Sequence, residues 1–444
     1  MSGATGSPPA CALPGTPLAG ARAGIDACVH CGFCLQSCPT YLALEDENDS
    51  PRGRVVLMRG LLEGTLMPQD PDVRSHIDRC LGCRACETAC PSGVPYGDLL
   101  EATRATLVEQ RPLPLAARAM LAVFARRAPL RAAMGMARAL RATRLASLLS
   151  RLPGRAGFAF AMLDATRRPV AAPAYPVPAS DARGTVALLD GCVMEGLFAG
   201  TNRATARVLA VNGFGVVPAP GQQCCGALHA HAGDLAGARA LARANITAFE
   251  RAGTDLVAVN SAGCGAMCKS YGHLLADDPE WAARAAAMAA RVRDVSELLA
   301  EAGPTTARGA ARRVTYDAPC HLLHAQRVSD PPRRVLAAVG GLDVVPLADA
   351  DQCCGGAGMY GLLEPAISAA VLAPKLRNIS DTGAAYVATG NPGCLMQIGA
   401  GMKRAGMSAR AIHPVDLLDA AYAADVAVGG ARVLLTSHAR RPAS

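Results

Sequence analysis

Residues 28–39 read CVHCGFCLQSCP, and residues 80–91 repeat the same cysteine spacing as CLGCRACETACP. In each run four cysteines are separated by two, two and three residues, and a proline follows the fourth. Three closely spaced thiols in a tight loop can occupy three corners of one cube-shaped centre, but the fourth corner faces away from the loop. Each run therefore needs one thiol from elsewhere, and two runs in one chain can supply it to each other.

This spacing is the one with which bacterial ferredoxins hold [4Fe–4S] clusters through thiolates. It predicts a helical, ferredoxin-like domain with two such clusters at residues 25–105. Two structural zinc sites are the alternative, although zinc sites usually pair two C-x2-C knuckles. We assign the eight thiols to two crossed sets, which are Cys28, Cys31, Cys34 with Cys90, and Cys80, Cys83, Cys86 with Cys38.

The composition excludes several classes of protein. A length of 444 residues suffices for about three domains, and 51% apolar with 18% charged residues is typical of a folded globular protein. No stretch approaches the ~20 uncharged apolar residues of a membrane-spanning helix, and residues 1–24 lack the pattern of a secretory signal. Eighteen cysteines in such a chain indicate metal binding rather than disulfides. We predict a cytoplasmic protein, with peripheral attachment to the inner face of the cytoplasmic membrane left open.

Positive charge is concentrated in one stretch of the chain. Twelve arginines and a single acid, Asp164, lie between Arg111 and Arg168, although the whole chain carries a net charge of only +8. Apolar residues recur there at near-helical spacing up to a proline-rich break at residues 169–178. We predict a solvated helical linker at 106–182, with contact to anionic lipid or to an acidic partner as alternatives. Nucleic acid is excluded as a partner because interleaved aromatic residues and a recognised binding fold are lacking.

The second half of the chain contains an internal repeat that its cysteines reveal. Each copy holds a cysteine, then a Cys-Cys-Gly triplet, then another cysteine, with intervals of 32 and 39 residues in the first copy and 33 and 40 in the second. Two related domains at 183–303 and 304–430 follow, hereafter repeat 1 and repeat 2. A disordered head at 1–24 and a tail at 431–444 complete the predicted organisation. The repeat cysteines are Cys192, Cys224, Cys225 and Cys264, and Cys320, Cys353, Cys354 and Cys394.

Short β-branched runs alternate with helical patterns in each repeat. In repeat 1, residues 186–189, 214–217 and 256–259 read as strands, and residues 203–212 and 234–251 read as helices. Strands separated by helices predict parallel α/β units. Most of the cysteines then fall at strand ends or in the loops just after them, where open α/β sheets place ligands.

The Cys-Cys-Gly repeats resemble the cysteine-rich domains of heterodisulfide reductase, of the third subunit of anaerobic glycerol-3-phosphate dehydrogenase and of lactate-utilisation proteins. With the ferredoxin-type runs on the same chain, the order is most similar to the glycolate oxidase iron-sulfur subunit family across about residues 25–425. That family is known as the electron-transfer partner of two flavin-type subunits that oxidise glycolate to glyoxylate. The strings that carry the resemblance are SPRGR at 50–54, ATARVL at 204–209, GCG at 263–265 with YGH at 271–273, HAQ at 324–326, NPGC at 391–394 and HPVDLL at 413–418.

The repeats depart from the complete family motif, which ends in C-x2-C and supplies five thiolates to an unusual cluster. Repeat 1 has Met267 at the last position, with Cys268 one residue later, and repeat 2 has Gln397. Four thiolates in each repeat could still hold a further iron-sulfur cluster or zinc, or nothing. Histidines near the repeat cysteines are either ligands, proton carriers or polar loop residues; they are His229, His231, His321 and His324.

A glycine pattern in repeat 2 formally spells G-x-G-x-x-G at Gly356, Gly358 and Gly361. It follows the Cys-Cys-Gly triplet rather than a strand, and no acid lies about 20 residues further on, so we do not read it as a nucleotide site.

The resemblance implies an iron-sulfur electron-transfer subunit of a flavin-linked 2-hydroxyacid dehydrogenase, most similar to glycolate oxidase. Such a subunit would pass electrons from two FAD-type flavoprotein subunits toward the quinone pool and would be inactive alone, with no catalytic residue of its own. D-lactate and glycerol-3-phosphate systems use related subunits. Two other classes stay open: a heterodisulfide-reductase-like or quinone-reducing enzyme with its own metal centre, and a zinc-stabilised scaffold.

Overall fold

The computed structural model describes residues 11–173, 175–177, 181–358 and 360–427. The expected α+β and α/β multidomain architecture is confirmed: a helical N-terminal domain, a helical arginine-rich segment and two α/β repeats follow one another. None of the helices in these described ranges is long and apolar enough to cross a membrane.

The N-terminal domain, hereafter the dicluster domain, is helical. Local signals explain where its helices begin and end. Pro39, the last residue of the first cysteine run, starts one helix. The Ser50 hydroxyl accepts a hydrogen bond from the Gly53 N–H and caps another, which ends at Gly64 in a left-handed conformation (φ 73°). The elements are α1 (Pro17–Gly20), α2 (Arg22–Asp26), α3 (Pro39–Leu44), a 3-10 turn (Glu47–Asp49), α4 (Pro51–Glu63), α5 (Pro71–Asp78), α6 (Ala85–Ala89) and α7 (Tyr96–Gln110).

Part of the predicted disordered head is folded. Residues 11–24 contain α1 and the start of α2, whereas residues 1–10 lie outside the described residues. Leu18 is fully buried, and its N–H donates to the Thr106 hydroxyl at 3.1 Å. Ile25 packs into the same apolar core. The prediction of disorder is wrong for 11–24, because Leu18 within this stretch and Ile25 directly after it anchor it to the core of the N-terminal domain.

The arginine-rich segment is helical as expected, but it is not a solvated linker throughout. Its guanidinium groups donate to backbone carbonyls of repeat 1: Arg138 to Gly196 at 3.1 Å and Arg141 to Leu197 at 3.0 Å. On the other side Lys403 of repeat 2 donates to the Ser147 hydroxyl at 2.8 Å. The segment therefore lies against both repeats. Its helices are α8 (Leu115–Phe124), α9 (Arg127–Ala142), α10 (Leu145–Leu149) and α11 (Gly154–Ala165).

Repeat 1 is built on a parallel sheet with strand order β2-β1-β3-β4. The three strands expected at 186–189, 214–217 and 256–259 are present within one residue of those bounds at each end, and Gly253 ends the long helix before β3 in a left-handed conformation (φ 63°). The elements are β1 (Thr185–Leu188), α12 (Val193–Leu197), α13 (Ala199–Val211), β2 (Gly215–Val217), α14 (Ala227–His231), α15 (Leu235–Ala252), β3 (Leu256–Val259), α16 (Ala262–Lys269), α17 (Tyr271–Leu274), α18 (Ala282–Arg291), β4 (Val292–Asp294) and α19 (Val295–Ala302).

Repeat 2 has the equivalent parallel strand order, β6-β5-β7-β8. Val314 of its central strand is registered with Val344 and Tyr386, as Val186 of repeat 1 is with Val216 and Leu256. The elements are β5 (Ala307–Tyr316), a π-helical turn (His321–Ala325), α20 (Pro331–Ala337), β6 (Val339–Val345), α21 (Tyr360–Leu363), α22 (Pro365–Thr382), β7 (Tyr386–Ala388), α23 (Pro392–Arg404), β8 (Arg410–Ile412) and α24 (Pro414–Asp425).

The two repeats share one apolar core. Side chains from β1, α13 and α19 of repeat 1 and from β5, α20 and α24 of repeat 2 belong to it. At its edge the buried carboxylate of Asp419 accepts hydrogen bonds from Arg168, Arg207 and the Tyr175 hydroxyl. The repeats are therefore packed through apolar surface and a buried charge network, which fixes how their cysteine-bearing loops meet.

Candidate metal centres

The second predicted thiol set of the dicluster domain surrounds one small cavity. Cys38, Cys80, Cys83 and Cys86 all line it, so the fourth cysteine of the first run lies with the first three cysteines of the second. Burial, chiefly, and the neighbouring Cys80 and Cys38 thiols raise the pKa of Cys86. Four buried thiols around one space are the donor set that a [4Fe–4S] cluster requires, so the residues present fit it.

The sulfurs of this set have hydrogen-bond donors. The Cys80 sulfur accepts from the Gly82 N–H at 3.4 Å and from the Tyr96 hydroxyl at 3.7 Å. The Cys38 sulfur lies 3.3 Å from the Thr40 hydroxyl. Donors to sulfur are one of the means by which a protein sets the reduction potential of a cluster.

A buried arginine supports this site, and sequence analysis noted it only as the last residue of the SPRGR string at 50–54. The Arg54 side chain is fully buried and donates to the Asp49 carboxylate at 3.0 Å, to the Thr40 hydroxyl at 3.1 Å and to the His76 carbonyl at 2.7 Å. Its positive charge lies close enough to Cys38 and Cys80 to interact with both. A cation here compensates part of the negative charge that thiolates carry.

The first predicted thiol set is more exposed. Cys28, Cys34 and Cys90 are half-buried against the same apolar core of the dicluster domain, and Cys31 is exposed. Burial, chiefly, raises the pKa of Cys34 to about 11, with Cys28 and Cys38 adding to the rise. Cys28, Cys34 and Cys90 therefore pack against the core of the dicluster domain, whereas Cys31 lies at the surface.

The four cysteines of repeat 1 come together at the carboxyl edge of its sheet. Cys192 follows β1, the Cys224–Cys225 pair follows β2, and Cys264 lies in α16 just after β3. The Cys192 and Cys224 sulfurs are 3.5 Å apart, and hydrogen bonding with Cys192 and Cys225 lowers the pKa of Cys224. The Cys225 thiol is hydrogen-bonded in turn to Cys264. The cysteines that follow three adjacent parallel strands thus converge into one cluster of thiols, as expected because the carboxyl ends of these strands lie at the same edge of the sheet.

Two further residues of repeat 1 hold this group. The Asn245 amide donates to the Cys224 carbonyl, and the Tyr271 hydroxyl donates to the Cys225 carbonyl, both at 2.9 Å. Cys268 is fully buried on the same helix as Cys264, and burial, chiefly, with Cys264 and Cys224 nearby, raises its pKa. A fifth thiol therefore lies beside the four, one residue beyond the family position.

Repeat 2 brings its own four cysteines together in the same way. The Cys354 and Cys394 sulfurs are 3.5 Å apart, and hydrogen bonding to Cys353, with burial, raises the pKa of Cys320. Backbone and side-chain donors reach the sulfurs: the Gly355 N–H donates to Cys353, and the Asn391 amide donates to Cys394, both at 3.4 Å.

Gln397 takes the place of a fifth thiol in repeat 2. Its side chain is buried and its amide nitrogen donates to the Ser368 hydroxyl at 2.8 Å. Within the described part of the chain, its amide oxygen has no hydrogen-bond partner. Gly356 of the G-x-G-x-x-G pattern makes room for it, because a Cβ there would lie 2.8 Å from Gln397 Cβ and 3.3 Å from the Cys354 sulfur. That glycine serves packing at the thiol site.

The dicluster domain docks on repeat 2 next to these thiols. Cys83 and Cys353 belong to one buried apolar group, and Cys320 packs against it. The Tyr360 hydroxyl donates to the Arg79 carbonyl at 2.7 Å. Cys83 is also close enough to Cys320 to raise its pKa, after Cys353, burial and Cys394. The second thiol set of the dicluster domain is thus adjacent to the thiol site of repeat 2.

The thiol sites of the two repeats also approach each other. The Gly263 N–H, next to Cys264, donates to the Asn391 side-chain oxygen at 3.2 Å, and the Gln326 amide donates to the Ala262 carbonyl at 2.9 Å. Asn391 therefore touches both sites, since its nitrogen donates to the Cys394 sulfur. Sequence analysis noted the NPGC and HAQ strings but did not foresee this contact.

The four candidate histidines have different surroundings. His229 is buried, and its Nδ1 atom has no partner among the described residues. His231 Nδ1 lies 3.0 Å from the Glu101 carboxylate, His321 donates from Nε2 to the Gly82 carbonyl at 3.0 Å, and His324 Nδ1 is 2.8 Å from the Thr88 hydroxyl. Three of the four thus bridge the repeats to the dicluster domain.

Comparisons with known proteins agree with this geometry. The family pattern described as a 4Fe-4S dicluster domain matches residues 24–94, and the one described as a cysteine-rich domain matches residues 186–269 and 314–399. The chain is thus an iron-sulfur protein with two cysteine-rich repeats.

Several curated proteins are similar over most of the chain. A probable glycolate oxidase iron-sulfur subunit of Bacillus subtilis is 38% identical over 88% of this chain and 92% of its own length. The glycolate oxidase iron-sulfur subunit of Escherichia coli is 36% identical over 83% and 88%. Lactate utilization protein A of Oceanobacillus iheyensis is 31% identical over 53% of this chain and 96% of its own length. With the paired cysteine runs and the doubled thiol sites, these matches establish that the chain belongs to the glycolate oxidase iron-sulfur subunit family.

Proposed function

We propose that this chain is the electron-transfer subunit of a glycolate-oxidising complex. In this role it receives electrons from two FAD-type flavoprotein subunits, which oxidise glycolate to glyoxylate, and passes them toward the quinone pool. The similarity to two glycolate oxidase iron-sulfur subunits over more than four fifths of the chain supports it. The shorter similarity to lactate utilization protein A keeps lactate as the second candidate substrate.

The eight cysteines of the dicluster domain are the proposed ligands of two [4Fe–4S] clusters. Cys38, Cys80, Cys83 and Cys86 form the buried set, and the more exposed set consists of Cys28, Cys31, Cys34 and Cys90. Clusters of this kind take up and release single electrons when bound. The protein contributes thiolates, hydrogen-bond donors to sulfur and the buried Arg54 charge.

One observation supports a relay above all others, namely the continuity of the thiol sites. The buried set of the dicluster domain adjoins the repeat 2 site through Cys83 and Cys320, and repeat 2 adjoins repeat 1 through Asn391 and Gly263. A metal site that only stabilises the fold does not need a second metal site next to it. Electron carriers must lie close together, because electron transfer between them requires short distances.

We propose that repeat 1 holds a further metal centre, because four thiols converge there and Cys268 lies beside them. Purified anaerobically, the chain should contain more than the roughly eight irons of two [4Fe–4S] clusters. Replacing Cys192, Cys224 and Cys225 with serine should remove the excess iron and one EPR signal of the reduced protein. About eight irons should remain.

Cys11, which lies outside every thiol site, provides the control for that experiment. A Cys11→Ser variant should keep the iron content and spectra of the unmodified chain. Iron that stays at about eight atoms in both proteins, with zinc lost only from the triple variant, would contradict an iron centre in repeat 1.

The complex itself can be tested by purification from the native host. Affinity-tagged chain should co-purify with flavin-containing subunits, and that complex should reduce an artificial dye with glycolate faster than with D-lactate or glycerol 3-phosphate. The chain expressed alone should carry its clusters but should not oxidise glycolate. Glycolate oxidation by the single chain, or a preference for D-lactate in the complex, would count against the proposal.

A further inference from the structure

A large cleft opens where the thiol sites meet. Its volume is about 740 Å³, within the range of small-molecule sites. Three of its lining residues are sequence neighbours of candidate ligands: Gly82 precedes Cys83, Gly263 precedes Cys264 and His321 follows Cys320. A molecule in this cleft would therefore lie beside the dicluster domain, repeat 1 and repeat 2 at once.

A carboxylate and two imidazoles stand together in this cleft. Glu101 lies 3.0 Å from His231 Nδ1, and the His231 and His321 rings are 5.5 Å apart between centroids. Glu101 comes from α7 of the dicluster domain, and the two histidines come from different repeats. An acid-imidazole pair next to candidate redox centres can act as a general acid and donate a proton to a ligand that is being reduced.

The remaining walls suit an uncharged, partly apolar ligand. Leu99, Leu235 and Met267 are among the apolar lining residues. Acids outnumber arginines in the lining by four to two; among them Glu101 lies against His231, and Asp98 lies 3.9 Å from His273. This excess of carboxylates disfavours an anion such as a hydroxyacid and favours a neutral ring.

We propose that this cleft binds a quinone and reduces it to the hydroquinone. The assignment rests on the relay proposed above, which supplies two electrons one at a time from hydroxyacid oxidation. Both carbonyl groups of the quinone become hydroxyl groups: two electrons enter the ring, one proton comes from the imidazolium form of His231, and the second comes from solvent at the open side of the cleft. His231 is left as neutral imidazole and takes its next proton from solvent. Glu101 holds the His231 ring in position.

The test uses the full chain with its clusters, reduced by dithionite and freed of excess reductant, and follows its reoxidation by a short-tailed water-soluble quinone. Gly20 lines the cleft in α1, and a Cβ at this position meets nothing within 4 Å. Gly20→Trp should fill the cleft and raise the quinone concentration for half-maximal rate about tenfold or more. Gly135 in α9 also has open space around it, lies outside the cleft lining and gives the matched control, Gly135→Trp, which should behave as the unmodified chain.

A second variant separates binding from proton delivery. His231→Gln keeps a polar group of similar size but cannot donate a proton as an acid does, so the rate at saturating quinone should fall by about 10²-fold while half-saturation changes little. Iron content and EPR spectra should stay unchanged. A photoreactive quinone should label residues 15–24 or 95–102, and Gly20→Trp should prevent the labelling.

Ferricyanide distinguishes the outcomes, because it accepts electrons one at a time at a surface and needs no proton. If reduced chain fails to reduce ferricyanide, the relay itself fails. If ferricyanide is reduced at the same rate by all variants but quinone reduction is equal in Gly20→Trp and Gly135→Trp, only the cleft assignment is overturned. Labelling elsewhere, or reduction of a small disulfide but not of the quinone, would also overturn it.

Discussion

Replacing Cys38 with alanine will remove the cluster of the second cysteine run while leaving that of its own run in place. Cys38 lines the cavity that Cys80, Cys83 and Cys86 surround, so its loss takes the fourth thiolate from a buried site. Iron should fall by about four atoms per chain, and one of the two cluster signals should disappear from the EPR spectrum of the reduced protein. Electron flow to either repeat should then stop, because Cys83 of this set adjoins the repeat 2 site.

Cys90→Ala is the mirror experiment and should remove the other signal. Double variants then identify each set: adding Cys83→Ala to Cys38→Ala should cost no further iron, whereas adding Cys28→Ala should remove nearly all that the dicluster domain holds. If Cys38→Ala and Cys28→Ala abolish the same signal, each run binds its own cluster and the crossed assignment is wrong. Cys11→Ala serves as the control for a cysteine outside both sets.

Arg54→Met should lower the free energy of unfolding of the dicluster domain by about 3–5 kcal/mol, because it leaves a buried carboxylate without its main partner. Asp49 is fully buried and would retain Arg79, at 3.1 Å, and His76, at 3.2 Å. The carbonyl of His76 would lose its donor as well. The shift can be measured as the denaturant midpoint for loss of cluster absorbance and of helical circular dichroism.

Arg52 offers a matched control two residues away. It forms an ion pair with Glu47, but the two side chains are 31% and 48% exposed, so Arg52→Met should change stability by only about 0–1 kcal/mol. Equal midpoints for the two variants would show that the buried network of Arg54 adds no stability beyond that of a surface pair. A shift for Arg54→Met that vanishes in the cluster-free protein would assign the effect to cluster binding instead.

The cysteine spacing was informative for the buried thiol set, because a spacing constrains which atoms can reach one centre; the set of Cys28, Cys31, Cys34 and Cys90 stays a prediction. The spacing placed Cys38 with the second run, and the cavity lining agrees with that assignment. The first three strands of repeat 1 could also be predicted. For example, β3 at Leu256–Val259 is an uninterrupted run of β-branched and apolar residues, and it follows a helix that ends at Gly253. Both signals are local in sequence.

The short strands and the contacts between domains could not be predicted, because neither has a recognisable local pattern in the sequence. β4 and β8 have three residues each and include Arg293 and Arg410, so their composition does not distinguish them from loop. Docking contacts such as Thr88 with His324 join residues 236 positions apart through one polar atom each. The hydrophobic periodicity of a sequence reports local secondary structure and carries no information about such a pair. The cleft that these contacts create could therefore not be predicted.

The prediction that residues 11–24 are disordered was wrong for a physical reason. Glycine, alanine and proline dominate that stretch, which suggested too few anchors to offset the entropy of ordering. Leu18 in this stretch and Ile25 directly after it are anchors enough, because both are buried almost completely in a core that already exists. A segment that joins an existing core needs fewer apolar residues than one that must build its own.

The shared core of the two repeats makes the chain comparable to a symmetric dimer fused into one polypeptide. In a true dimer each substitution would occur twice, and both thiol sites would have to change together. Here the halves can diverge, and they have done so at Met267 and Gln397. The dicluster domain adds the asymmetry, because its buried cysteine set packs against the repeat 2 site. In the proposed relay an electron from that domain would therefore reach repeat 2 before repeat 1, which is the reverse of their order along the polypeptide.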